Sequence, residues 1–129
     1  MLLATPVDEH GQTAHSWGRA HWLALATLEE EDDGVLAITD WRVEEVAWDI
    51  SHDAGTHGSH HARVIRFLLD NGVQAAVVDH VGTGMYRMLH SAGIATLPST
   101  PGDARASVAK AYLAAKSAAT DSLEEVVGN

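Results

Sequence analysis

The sequence predicts an α/β protein, a five-stranded mixed sheet with three helices on its faces. Three observations predict it. Two apolar runs, residues 21–28 and 35–46, flank an acidic turn at 29–34, the pattern of an antiparallel hairpin. Residues 73–78 form a continuous apolar run of strand length, as expected of a parallel strand buried on both faces. The second half alternates helix and strand, which calls for parallel strands joined by right-handed crossovers.

Each element follows in order. Residues 1–7 are apolar and open the fold as a buried strand; 8–16 are polar, contain Gly11 and form a loop. The hairpin occupies 21–46. A His- and Gly-rich loop, 49–59, precedes a helix whose stripe is Val64, Ile65, Leu68 and Leu69, stopped by Asn71-Gly72. After the strand at 73–78, Gly82-Thr83-Gly84 turns the chain into a second helix. Its stripe is Met85, Met88, Leu89 and Ala92, and Gly93 ends it. A short strand, 94–97, leads to a third helix start, with Thr100 as N-cap, Pro101 at the first position and Asp103 at the third. That helix carries Val108, Tyr112 and Leu113 and is otherwise rich in alanine. From about Ser117 the chain reads as a frayed polar tail. The organisation is one domain over 1–116 with a tail over 117–129.

Composition narrows the function. A length of 129 residues suits one domain with its own core. Cysteine is absent, which excludes disulfides, a thiolate nucleophile and cysteine-ligated metal centres. The net charge is −10, five of the acids forming one run at 29–33. An acidic chain lacks the basic face that nucleic-acid binding requires, so no nucleic-acid partner is expected. No stretch approaches a membrane span, and the N-terminus lacks the basic region of a secretory signal, so a cytoplasmic protein without a membrane partner is expected. Histidine is over-represented, at nine residues, and is the chain's main chemical resource.

Three motifs carry chemistry. His52, His57, His60 and His61 lie within ten residues around a helix start, where neutral imidazoles can converge on a cation. A solvated loop that happens to be His-rich is the plain alternative, and the segment 52–61 is expected to be poorly ordered without ligand. The second motif is Asp79-His80-Val81-Gly82-Thr83-Gly84-Met85, directly after the strand at 73–78. Ligands of open α/β sheets sit at such carboxyl ends, glycines let backbone approach closely, and a helix N-terminus favours anions. It is neither a dinucleotide fingerprint nor a Walker loop, and from the glycines alone a tight turn without ligand is the better explanation. The third is His15-Ser16-Trp17-Gly18-Arg19, a weak signal by itself, in which Trp17 is either a site residue or an anchor pinning the loop.

Together these segments resemble a known family. The opening 2–8, Trp17-Gly18-Arg19-Ala20, the His/Gly loop, Arg63 to Leu68 with Asn71-Gly72-Val73, Val81 to Met85, Ala92-Gly93-Ile94 and Ala111-Tyr112-Leu113 fall in one order. Over about residues 1–116 that order is similar to the nitrogenase iron–molybdenum-cofactor biosynthesis family of small cluster carriers. The resemblance implies a ribonuclease-H-like fold and non-catalytic binding of an iron–sulfur or molybdenum–iron–sulfur cluster. Such a carrier would have a donor or acceptor protein as a further partner. Ser16 stands where the family often has histidine, with His15 before it, and His80 stands where asparagine or a small residue is common. Without cysteine, ligation falls to histidine, or the cluster is held by hydrogen bonds and shape.

The site expected from the topology gathers His15, His57, His60 or His61, and His80 around one cleft at the carboxyl edge of the sheet. Trp17 and Met85 form its apolar wall, and Ser16, Arg19, Gly82, Thr83 and Gly84 complete it. Two other function classes compete. One is a protein–protein module with an incidental His loop. The other is a two-metal phosphoryl-transfer enzyme built on Asp8, Asp40 and Asp79, which requires carboxylates around ions about 4 Å apart.

Overall fold

The computed structural model describes the backbone of residues 1–51 and 57–127, and the side chains of 1–50 and 59–117. The elements run β1 (Leu2–Val7), β2 (Trp22–Glu30), β3 (Leu36–Glu45), α1 (Trp48–Ser51), α2 (His57–Asp70), β4 (Ala75–Val78), α3 (Thr83–Ser91), β5 (Ala95–Pro98) and α4 (Ala104–Val127). The five strands form one mixed sheet in the order β3-β2-β1-β4-β5. β2 is antiparallel to both β1 and β3, whereas β1, β4 and β5 are mutually parallel.

Sheet and hairpin agree with the sequence reading; the reading of the helices is corrected at five points. There are four, not three: Trp48–Ser51 is a single helical turn inside the segment read as a loop. α2 begins at His57, so 57–59 are helical rather than loop, while 52–56 lie outside the described residues. Leu69 is half exposed, because it projects about a third of a turn past Leu68, beyond the buried stripe. The N-cap of α4 is Asp103, whose carboxylate accepts the Ala106 N–H at 2.9 Å. Thr100 cannot cap it, because Gly102 takes φ +129°, a conformation outside the helix. α4 also runs on past Ser117 to Val127; its Ala-rich continuation holds no glycine or proline before Gly128.

The sheet divides two cores. On one face Ala4, Leu23, Leu25 and Ala76 pack against Val64 and Leu68 of α2 and Met85 and Leu89 of α3, with Trp17 and Trp48 filling between. On the other, Leu3, Ala26, Leu28, Ala75 and Val77 meet Val108 and Ala111 of α4. Each fully buried leucine here contributes about 1.5–3 kcal/mol. The small alanines of α4 let the helix lie close to the strands. At one end of the sheet β1 and β4 finish and β2 begins, since Val7 pairs with Trp22. The loop after β1 and the turn after β4 leave the sheet at that end.

Candidate functional site

The loop 15–19 leaves β1 and is fixed by three separate ties. Ser16 makes a parallel bridge to His80, extending the sheet past the end of β4. The Trp17 indole N–H donates to the Val77 carbonyl at 2.7 Å. The Gly18 carbonyl accepts from His60 Nε2–H at 2.7 Å, joining the loop to the first turns of α2. The loop is thereby held against strand and helix alike.

Between this loop, α2 and the start of α3 lies a cleft of about 310 Å³. Ser16, Arg19, His61, His80, Gly84 and Met85 line it, with Gly18, Val81 and Gly82 between them. Its floor is Met85, which is 2% exposed. The N-cap of α3 is Gly82, and no side chain caps it. The first-turn N–H groups are thus presented without a competing side-chain oxygen. At Gly84 a Cβ would stand 3.1 Å from the His61 ring, so glycine here is what lets the imidazole lie against the α3 backbone.

His80 stacks on His15, with ring centroids 5.5 Å apart and planes within 6°. His15 Nδ1–H in turn donates to the Asp79 carboxylate at 2.7 Å. That contact is solvent-exposed, so it orients the imidazole more than it stabilises the fold.

The sequence-derived site residues therefore separate into groups. Ser16, Arg19, Gly82, Gly84 and Met85 share the cleft with His61 and His80. Thr83 is the first residue of α3, at the same helix end. Trp17 is corrected: it is fully buried in the core and supports the loop from beneath instead of walling the cleft. His15 stands behind His80 rather than in the cleft. His60 is also corrected. It is 1% exposed and points inward to Gly18, because neighbouring helical residues diverge by about 100° and only His61 faces the cleft. The side chain of His57 and the whole of His52 lie outside the described residues. Among the described residues, no three His, Asp or Glu side chains are grouped to hold one metal ion. Asp40 and Asp79 belong to β3 and the end of β4, three strand spacings or roughly 14 Å apart, too far for a two-metal centre.

One polar constellation escaped the sequence reading. His21, just before β2, lies between two carboxylates, with Nε2 2.6 Å from Glu45 and Nδ1 2.8 Å from Asp49. Both ring nitrogens then donate, which requires the imidazolium. Hydrogen bonds to Asp49 and Glu45 raise the His21 pKa above 6.5, and the same bond lowers that of Asp49. The available signal was hairpin register, which sets Trp22 opposite Glu45 and so brings His21 beside it.

The fold has known counterparts. It matches the crystal structure of PH0822 with a TM-score of 0.61 and 20% identity, over 81% of this chain and 82% of that one. It also matches the NMR structure of a Thermotoga protein, provisionally described as NifB and of the DUF35 family. There the TM-score is 0.58 and the identity 19%, over 83% of each chain. At such identities the likeness concerns the fold alone. A search of curated proteins finds no match. No helix among the described residues is long and apolar enough to cross a membrane. The family model for the dinitrogenase iron–molybdenum cofactor matches residues 1–115, and the chain belongs to that family.

Proposed function

We propose that this protein binds, stores or transfers a metal cluster of the iron–sulfur or molybdenum–iron–sulfur type, without catalysing a reaction on it. The observation that carries the reading is the composition of the cleft in a member of this family. Arg19, two imidazoles and an uncapped helix N-terminus surround it, and among the described residues no carboxylate lines it. Such a lining favours an anion. The cluster is cargo. His61 and His80 are the side chains that can offer it neutral nitrogen, while Arg19, the α3 backbone and the Met85 floor supply charge, hydrogen bonds and shape. His15 orients His80 and so acts on the cargo indirectly. Should His52 and His57 add ligands, they do so from the entrance to α2.

A cytoplasmic carrier of this kind needs a protein that delivers the cluster and one that receives it, and neither nucleic acid nor membrane enters the scheme. The strand order, with β2 alone running against the rest of the β1, β4 and β5 set and β3 at its edge, supports a ribonuclease-H-like class.

The test is anaerobic purification followed by elemental analysis and a visible spectrum, repeated after incubation with iron, sulfide and molybdate. Iron or molybdenum with a visible chromophore is expected, lost several-fold in His80→Ala while its circular dichroism stays unchanged. A colourless, metal-free protein under both conditions would overturn the reading and favour the protein–protein module.

A further inference from the structure

A second depression of about 310 Å³ opens at the same end of the sheet, on the face that carries α4. Val7, Trp22, Trp41 and Val43 line it, and Asp8 and Glu9 stand at its rim. α4 lies over β1, β5 and part of β2. Trp22 and Trp41 pack beside Ala104 at the start of α4, and Val43 on the edge strand β3 is left exposed. Val43 is 46% exposed, and both tryptophans are only partly buried. A neighbouring depression on the other side of Trp22 shares Asp8 and Glu9, so the indole forms a ridge between two hollows with one acidic rim.

The rim is rigid. Asp8 Oδ1 accepts from the His10 and Gln12 N–H groups at 2.8 and 2.9 Å. The turn is in turn bound to the start of α4: the Thr13 N–H donates to Gly102 O at 2.7 Å, and the Ala104 N–H to Gly11 O at 3.0 Å. These backbone donors also lower the Asp8 pKa, which keeps it ionised. Arg105 of α4 already lies 4.8 Å over the Trp41 ring, so this indole accepts a guanidinium on its face.

We propose that this groove docks a basic segment of a partner polypeptide, an arginine or lysine flanked by apolar residues. The apolar neighbours would cover Val7 and Val43, and the cation would lie on an indole face within reach of Asp8 and Glu9. A preformed rim lowers the ordering cost of such docking. The net charge of −10 steers a basic partner toward the chain and opposes a second copy of it. The inference does not depend on the cluster reading, since it uses the opposite face of the sheet.

The full chain tests it through the indole N–H signals in proton–nitrogen NMR. The probe is a hexapeptide of alternating arginine and leucine at near-physiological salt. Trp22 and Trp41 should shift, while the buried Trp17 and Trp48 should not. The double variant Asp8→Asn, Glu9→Gln keeps the turn acceptor and should weaken binding about three- to tenfold. The variant Glu31→Gln, Asp32→Asn makes the same charge change in the hairpin turn and should alter it less than twofold. Equal losses in both variants would mean unspecific attraction to an acidic protein and would overturn the proposal. So would equal binding of a glutamate–leucine hexapeptide, the absence of shifts, or shifts that follow protein concentration without peptide, which would make a second copy the occupant.

Discussion

The cleft and the groove occupy one end of the same sheet, on opposite faces, and are alike in size and opposite in chemistry. The cleft is lined by glycine backbone, imidazole and guanidinium; the groove is lined by indole and valine under a carboxylate rim. The cleft lies between the loop 15–19 and the starts of α2 and α3, and the groove lies beside the start of α4. What distinguishes them is which side chains the loops after β1 and β4 deliver. The four tryptophans make the same point. Trp17 and Trp48 lie in the core and Trp22 and Trp41 at the groove, so position relative to the sheet decides the role of the residue type.

The largest effect should separate those tryptophans. Trp17→Ala removes a fully buried ring and leaves the Val77 carbonyl unpaired, and should cost about 3–5 kcal/mol. Trp22→Ala, at a partly exposed ring, should cost about 1–2 kcal/mol. Urea unfolding midpoints measure both, and equal losses would erase the distinction between core and groove.

Next come the adjacent functions of the histidines. His60→Ala leaves a cavity and strips Gly18 of its donor, for a loss of about 2–4 kcal/mol. His80→Ala should stay within about 0.5 kcal/mol in the same assay, because its ring is exposed. A third measurement addresses the cargo itself. Neutral imidazole is the ligating form, and histidine ordinarily titrates near 6.5, so metal content after dialysis should fall between about pH 7.5 and 5.5. Retention that rises with acid would assign the imidazoles to charge attraction instead. Gly84→Ala should sharpen this further. The new methyl meets the His61 ring and should reduce metal content about two- to threefold, while helix propensity keeps stability within about 1 kcal/mol of the parent.

The smallest effect belongs to His21. Its folded pKa is raised, so its bonds to Asp49 and Glu45 stabilise the protein fully below the unfolded value of 6.5. That contribution fades as pH rises through the raised folded value. His21→Gln should remove this decline from a plot of melting temperature against pH between 6 and 9, and a parallel curve for the variant would show that the clasp does not titrate.

Much of the fold was legible because its elements announce themselves locally. The acidic turn flanked by apolar runs fixed the hairpin, and the 73–78 run marked a central parallel strand. α1 was not legible, since one helical turn has no periodicity to read. The Thr100 cap was misplaced because a left-handed-region φ at Gly102 cannot be seen in the letters. Within the site, topology brought the loops after β1 and β4 and the start of α2 to one sheet end. It could not tell which of His60 and His61 turns inward, because that depends on where the helix begins. Trp17 carried both roles, anchor and wall, and only burial separates them. The His21 clasp and the tryptophan groove require the register of the hairpin, which the sequence pattern leaves open by a residue or two.

The central place of β1 has a consequence for how the chain is made. Leu3 pairs with Ala26 on one side and with Ala75 on the other. The first partner leaves the ribosome early, the second only after most of the domain has been synthesised. β1, β2 and β3 can therefore assemble as a meander while the opposite edge of β1 still waits for β4. During that interval the backbone groups of the most buried strand form an open edge, the kind of surface on which nascent chains pair with one another. Closing that edge brings together segments far apart in sequence, so β1–β4 docking carries a larger loop-closure cost than β1–β2 pairing. Substitutions in β4 should accordingly act first on the yield of the newly made protein, before any change in the finished molecule is felt.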